Sequence, residues 1–256
     1  MKKKYTLILF SLFFSVPVFA TAPLITDDTG TQGKGKFQVE LDYAVEATKS
    51  NSGQELYTTF SWGVADNVDV IVGIPYNWHP FTEEGRPIAI QKGIGDTAVE
   101  IKWRFFESSP QNGLSFALKS GVSLPTGDAE KGLGNGDVSK EVMMIATKEW
   151  QHGAFHCDVG YVHNTYSLEE ENEVLRHHLW HASVAAEVRM MKNLRSVVDI
   201  GIDTSTVTTS ETHPVYVIGG LVYSVTDSFD FDFGVKGGLN NTAPVTTVLV
   251  GVTSKF

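Results

Sequence analysis

The stretch Thr97–Phe106 constrains the fold of this chain more than any other. Thr97, Val99, Ile101, Trp103 and Phe105 alternate with Ala98, Glu100, Lys102 and Arg104. A β-strand sends successive side chains to opposite faces, so this strand has one apolar face and one charged face. Buried charges are costly in a sandwich core and costlier in lipid. The charged face therefore needs water or a polar interior, while the apolar face carries Trp103 and Phe105.

The same pattern recurs along the chain. From Lys36, Phe37, Val39, Leu41, Tyr43 and Val45 oppose Gln38, Glu40, Asp42 and Glu46. In 229–238, Phe229, Phe231, Phe233 and Val235 oppose Asp230, Asp232 and Lys236. Further strands are predicted at 55–62, 68–77, 114–124, 138–149, 154–166, 176–189, 196–204, 215–223 and 246–256. Residues 78–94, with Pro80, Gly85 and Pro87, read as a long loop. The strand at 138–149 fits least well, because Met143 and Ile145 fall on its polar face; Leu249 is a similar exception in the last strand.

These segments total about twelve, at about 9–13 residues each, close to what a tilted strand needs to cross a bilayer. Strands in ordinary sandwiches average about five or six residues. An open sheet edge is not tolerated in lipid, so the last strand must close on the first. The predicted fold is all-β: a membrane-spanning antiparallel up-and-down β-barrel preceded by an N-terminal signal peptide.

The signal peptide is read from M-K-K-K, the apolar run 5–14 and Val18-Phe19-Ala20, with cleavage after Ala20 and Ala22 as the alternative. The predicted organisation is 1–20 signal peptide, 21–35 an N-terminal tail or lumen plug, and 36–256 the barrel. Without Lys2, Lys3 and Lys4 the chain carries 17 basic against 30 acidic residues, a net charge of −13. That balance disfavours nucleic acid, which needs a cationic face. The single cysteine, Cys157, excludes an internal disulfide and reads as a small outward-facing residue.

Two patterns orient the barrel. Six connections total 59 residues and the five alternating with them total 27. Periplasmic turns are the short class, so both termini lie on the periplasmic side. Phe37, Trp62, Trp103, Phe105, Phe116, Phe155, Tyr223, Phe229 and Phe256 all fall near that end on apolar faces, where aromatic girdles belong.

P-L-I-T-D-D-T-G-T-Q-G-K-G-K-F-Q-V-E (23–40), G-I-G-D-T-A-V-E-I-K-W-R-F (93–105), L-P-T-G-D (124–128) and the segment 220–239 resemble the outer-membrane family named for the meta-pathway of phenol degradation. The resemblance spans nearly the whole mature chain. It implies an outer-membrane barrel described as a transporter of small solutes, aromatic or hydrophobic compounds among them, in the bacterial cell outer membrane. Phe256 resembles the terminal signal read by the outer-membrane assembly machinery. The expected partners are therefore that machinery, outer-membrane lipid and a small solute, with no cofactor and no nucleic acid.

Strand parity turns Glu40, Asp42, Asp69, Glu100, Lys102, Arg104, Lys119, Asp158, Glu187, Arg189, Asp199, Asp230, Asp232 and Lys236 toward the lumen. Charged rings set selectivity in pores; alternatively these charges pair with one another and fill the interior. Glu187 is expected opposite Asp199, with Arg189 diagonal to Asp199. A structural barrel without transport is the second reading. A third is an outer-membrane lipid hydrolase using His181 and Ser183, which share a strand face. It is disfavoured because both point inward and no orienting Asp or Asn is evident. No enzymatic activity and no metal site are expected: of His177, His178 and His181, the middle one faces away.

Overall fold

The computed structural model describes residues 22–47, 52–83, 86–108, 113–243 and 246–256, and the predicted signal peptide lies outside them. Thirteen strands follow in order: β1 (Phe37–Ala47), β2 (Ser52–Ala65), β3 (Val68–Glu83), β4 (Arg86–Ile94), β5 (Thr97–Glu107), β6 (Leu114–Leu124), β7 (Ser139–Trp150), β8 (Gly153–His163), β9 (His178–Met191), β10 (Leu194–Asp203), β11 (Val215–Thr226), β12 (Phe229–Gly238) and β13 (Thr246–Lys255). A 3-10 turn (Ala129–Lys131) and a short helix, α1 (Glu169–Val174), lie in connections on the side opposite the termini.

All pairings are antiparallel, and β13 closes on β1 through ten registered pairs from Gln38↔Lys255 to Ala47↔Thr246. The ring is completed by β3 pairing with both β2 and β5. Twelve strands thus form a closed barrel, and among the described residues β4 pairs with β3 alone, as the outer arm of an overhanging ribbon. The expected loop at 78–94 is therefore wrong. Its prolines read as strand breakers, but they occupy the two places where a strand tolerates them. Pro80 lies beyond Trp78, the last residue of β3 registered with β2 among the described residues, so its missing N–H removes no bond from that ladder. Pro87 falls at a register irregularity beside Phe81 and Thr82.

The apolar parity faces outward. Leu41, Phe60, Ile101, Val159, Trp180, Ile200 and Phe233 are exposed on the barrel exterior, as side chains that meet lipid must be. Phe37 stacks on Trp62 (6.0 Å), Trp103 meets Phe105 (5.7 Å) and Trp150 meets Phe155 (4.4 Å) toward the terminal side. Tyr76 with Trp78 and Tyr161 with Trp180 stand at the other rim. These two aromatic levels bracket an apolar band, the pattern of a membrane-spanning barrel. Cys157 is exposed on this outer face.

The inward face carries the polar residues and three apolar patches. Met143 and Ile145 pack there with Ala117. Val197, Val222 and Ala185 enclose Leu24, while Ala44, Tyr216, Ile218 and Leu249 receive Ile25. The inward-facing exceptions Val197, Ile218, Val222 and Leu249 are thus the wall against which the N-terminal segment packs.

Candidate functional site

The lumen wall concentrates charge, and residues 22–36 run through it. The segment leaves the barrel end beside β1 through a turn that only glycine permits. Gly33 and Gly35 have φ of 85° and 80°, in the left-handed region. The Gly35 amide donates to the Gly63 carbonyl (2.7 Å), and the Gly63 amide donates to the Lys36 carbonyl (3.0 Å). A Cβ on Gly63 would lie 1.9 Å from the Gly33 carbonyl oxygen, so β2 must be bare there for the backbones to meet.

From that turn the segment crosses the interior, and inward carboxylates take its amides. The Gln32 amide donates to Asp69 (3.0 Å), the Asp27 amide to Asp158, and the Ile25 and Thr26 amides both to Asp199 (2.8 Å). The Thr29 amide donates to Thr147 (3.0 Å). Pro23 ends the crossing against Gly220 and Gly234, where a Cβ on either glycine would come within 2.6 Å of its ring. Asp27 accepts from two ammonium groups at once, Lys102 (2.8 Å) and Lys119 (2.6 Å), with all three side chains buried. Asp28 stands farther from Lys102, at 3.7 Å.

The structure places the fourteen residues assigned inward by parity as follows. Glu40, Asp42, Asp69, Glu100, Lys102, Lys119, Asp158, Asp199, Asp230 and Asp232 are buried on the inner wall. Lys236 lies 4.5 Å above the Tyr216 ring. Arg104 is near the terminal rim, 3.6 Å from Glu107. Arg189 is exposed, and Arg195 occupies the position expected for it: Arg195 meets Glu187 at 3.0 Å and Asp230 at 3.5 Å, and Lys255 adds a 3.3 Å contact to Asp230. The expected pairing of Glu187 with Asp199 is also overturned. Glu187 registers with Val197, and Asp199 with Ala185. The β9–β10 turn is only Lys192-Asn193, tighter than expected, and a register irregularity at Leu194/Arg195 shifts the strands.

Parity put Asp203 on the polar face with Asp199, but Arg195, Glu55 and Glu141 were not assigned inward, and the pivotal Asp27 lies outside the strands. Arg195 shares parity with Asp199 and was hidden only by the turn placed over it. Asp27 had a subtler signal: Lys102 and Lys119 face each other on β5 and β6, and two adjacent inward ammoniums need an anion.

Asp203 corrects a further expectation. It registers with His181, and its Oδ1 lies 2.7 Å from His181 Nδ1. His181 Nε2 lies 2.9 Å from Ser183 Oγ. The orienting carboxylate judged missing is thus present, and the three groups have the connectivity of a hydrolytic triad. Ser183 registers with Asp158, whose carboxylate would disfavour an oxyanion there, and the Tyr216 hydroxyl is a neighbouring donor.

Below the crossing segment is a chamber of about 560 Å³, reaching from Lys36, Lys255 and Phe256 at the rim to Glu40, Thr59, Tyr57 and Glu100 inside. On the opposite side, Asp96 anchors the loop 125–138 by accepting from the Gly127 (3.0 Å) and Asn135 (2.7 Å) amides. Burial raises the Asp96 carboxyl above its ordinary value, and these amides pull it back down.

The family model described as "Putative MetA-pathway of phenol degradation" matches residues 20–256. Among solved structures, the chain is similar to an outer membrane channel from Pseudomonas putida F1, with a TM-score of 0.71 at 10% identity, over 90% of this chain and 98% of that one. It is similar to the NanC porin, with a TM-score of 0.60 at 8% identity over 85% and 100% of the two chains. The KdgM porin gives 0.53 at 9% identity, over 85% and 99%. Among the curated proteins none matches the chain.

Proposed function

The chain belongs to the MetA-pathway phenol-degradation family of outer-membrane barrels, and on that premise we propose that it is a channel for small solutes whose lumen is plugged by its own N-terminal segment. The observation that carries this reading is the combination of a closed ring with a charged interior and a segment that crosses it on contacts with the inward side chains, Asp27 with Lys102 and Lys119 foremost. A barrel of twelve strands is intermediate between ones filled by side chains and ones that leave a channel. The crossing segment narrows it further. The inward charges hold the segment and line what space remains, and Phe256 at the end of the closing strand is the recognition point for barrel assembly.

The proposal is non-enzymatic. The His181–Ser183–Asp203 group acts as a hydrogen-bonded brace between β9 and β10. An aromatic cargo has support from the family's name but not from the chamber, whose lining is mostly charged or hydroxylated.

Conductance of the purified protein in planar bilayers tests the channel reading. Deleting residues 21–35 raises single-channel conductance if the segment is a plug, and unchanged conductance rules the plug out. Absence of conductance and of solute flux in both forms rules out the channel. Lipid hydrolysis abolished by Ser183→Ala would replace it with an enzyme.

A further inference from the structure

The acidic residues of the lumen divide into two sets. Asp27, Asp69, Asp158, Asp199 and Asp230 each have an amide or a cation on them. A second set, on the wall from β12 through β13 and β1 to β2, is poorly matched: Asp232 has only the Gly251 amide on it, and Asp42 and Glu55 keep oxygens with no partner among the described residues. Asp232, Gly251 and Asp42 stand side by side on β12, β13 and β1. Gly251 has no side chain to separate its neighbours. A Cβ there would lie 2.4 Å from an Asp232 oxygen and 2.5 Å from an Asp42 oxygen, so the two carboxylates converge over the same bare backbone.

Neither finds enough donors. Both oxygens of Asp42, Oδ1 of Asp232 and Oε1 of Glu55 have no hydrogen-bond partner among the described residues. Neither does Oδ1 of Asn77, a neutral side chain only 6% exposed and registered directly with Glu55. Every one of these atoms is an acceptor. A buried group of unmatched acceptors calls for a ligand that is positive or rich in donors.

The nearby cations are committed elsewhere. Lys102 and Lys119 share Asp27. Arg195 and Lys255 are on Asp230, one inward position below Asp232. Lys236 is two inward positions above Asp232, over the Tyr216 ring, and Pro23 fills the site of Gly234 between them. The Asp42–Asp232 pair is left without a counter-charge of its own.

We propose that this wall selects the solute: the lumen admits cations and rejects anions, with Asp42 and Asp232 as the selecting pair and Glu55 and Asn77 as the next acceptors along the path. The inference rests on the channel reading above and names the class of solute for that lumen. Two carboxylates held this close repel each other, and a cation passing between them relieves the repulsion. An anion meets the same pair as a barrier.

The test is the reversal potential of the purified full-length mature protein in planar bilayers under a tenfold potassium chloride gradient at low salt, where screening is weakest. The expected reversal lies on the potassium side, toward the limit of about 59 mV for a tenfold gradient of a singly charged ion. Asp42→Asn with Asp232→Asn, which preserves shape, moves it toward zero while conductance in symmetric salt persists. Replacing potassium by ethylammonium separates the sources: preserved selectivity extends the site to organic cations, and loss of current confines it to metal ions. A wild-type reversal at zero or on the chloride side overturns the proposal and leaves the channel standing. So does full cation selectivity in the double variant. A wild-type protein that conducts nothing, with or without residues 21–35, removes the channel reading and this proposal together.

Discussion

Replacing Asp27 with alanine should release the N-terminal segment while leaving the barrel intact. The Asp27 carboxylate is the shared partner of Lys102 at 2.8 Å and Lys119 at 2.6 Å, and all three side chains are buried. Removing one member of a buried ion pair strands its partner's charge and costs about 3–5 kcal/mol. Here one truncation strands two ammoniums. The cost falls on the seated state, because release of the segment lets water reach both lysines. At about 1.4 kcal/mol per tenfold, the equilibrium moves toward release by roughly a hundred- to a few-thousand-fold. The strand ladder involves none of these side chains, so folding of the barrel is unaffected.

The assay is backbone amide exchange at residues 27–32, the middle of the segment, read beside heat-resistant migration of the folded barrel. Exchange should accelerate by about two orders of magnitude or more in Asp27→Ala. Asp28→Ala supplies the contrast. Its carboxylate accepts from the Gly30 amide but stands 3.7 Å from Lys102 and is a third exposed, so its loss costs less than that of Asp27. A triple variant, Asp27→Ala with Lys102→Met and Lys119→Met, should regain most of the protection, because apolar side chains of similar volume carry no stranded charge. Exchange in Asp27→Ala within tenfold of wild type would refute the reasoning, as would equal effects of Asp27→Ala and Asp28→Ala.

Gly63→Val should free the segment by another route, since its Cβ would meet the Gly33 carbonyl at 1.9 Å; increased protease cleavage near residues 33–36 in a folded barrel checks it. Cys157 faces lipid from β8, so a membrane-soluble maleimide should label it in vesicles and a charged thiosulfonate should not; the reverse would invert the strand parity. In α1, the Glu171 carboxyl is pushed up to about 7, chiefly by burial and then by the charge of Asp96. The folded loop therefore holds that proton more tightly than the unfolded chain does. Stability from the neutral carboxyl is present in acid and lost as the pH rises through about 7. After correction for intrinsic rates, the Asn172 and Leu175 amides should be better protected at pH 5 than at pH 8, and equal protection would rule this out.

The barrel was legible because its signal is redundant. The apolar and charged faces, the strand lengths, the connection lengths and the aromatic levels depend on different residues, yet all imply the same ring. The β3–β4 ribbon was not legible, because a proline breaks a strand only where its amide is needed, and that depends on which edge has a neighbour. The β9–β10 register was lost to one tight turn, and with it Arg195. Contacts of the N-terminal segment were hidden for a different reason. Asp27 and Lys119 are 92 residues apart, and strand parity says which side chains enter the lumen but not what they meet there.

The misfits in the pattern nonetheless carried the missing information. Leu249 spoils the polar face of β13, and Val197, Ile218 and Val222 put further apolar groups inside. A water-filled pore gives no reason for a patch of this kind, whereas a segment beginning P-L-I does: Leu24 and Ile25 pack against these four side chains. Burying a side chain of that size contributes about 1.5–3 kcal/mol, so the apolar seat and the Asp27 ion pairs hold the segment with comparable strength. The two anchors respond differently to charge. Substituting Asp27 releases the middle of the segment, but Pro23, Leu24 and Ile25 still have their seat. The Asp42–Asp232 pair takes no part in either anchor, which separates holding the segment from selecting the solute. The double asparagine variant should therefore change selectivity without changing amide exchange at residues 27–32, and Asp27→Ala should change exchange without removing the preference for cations.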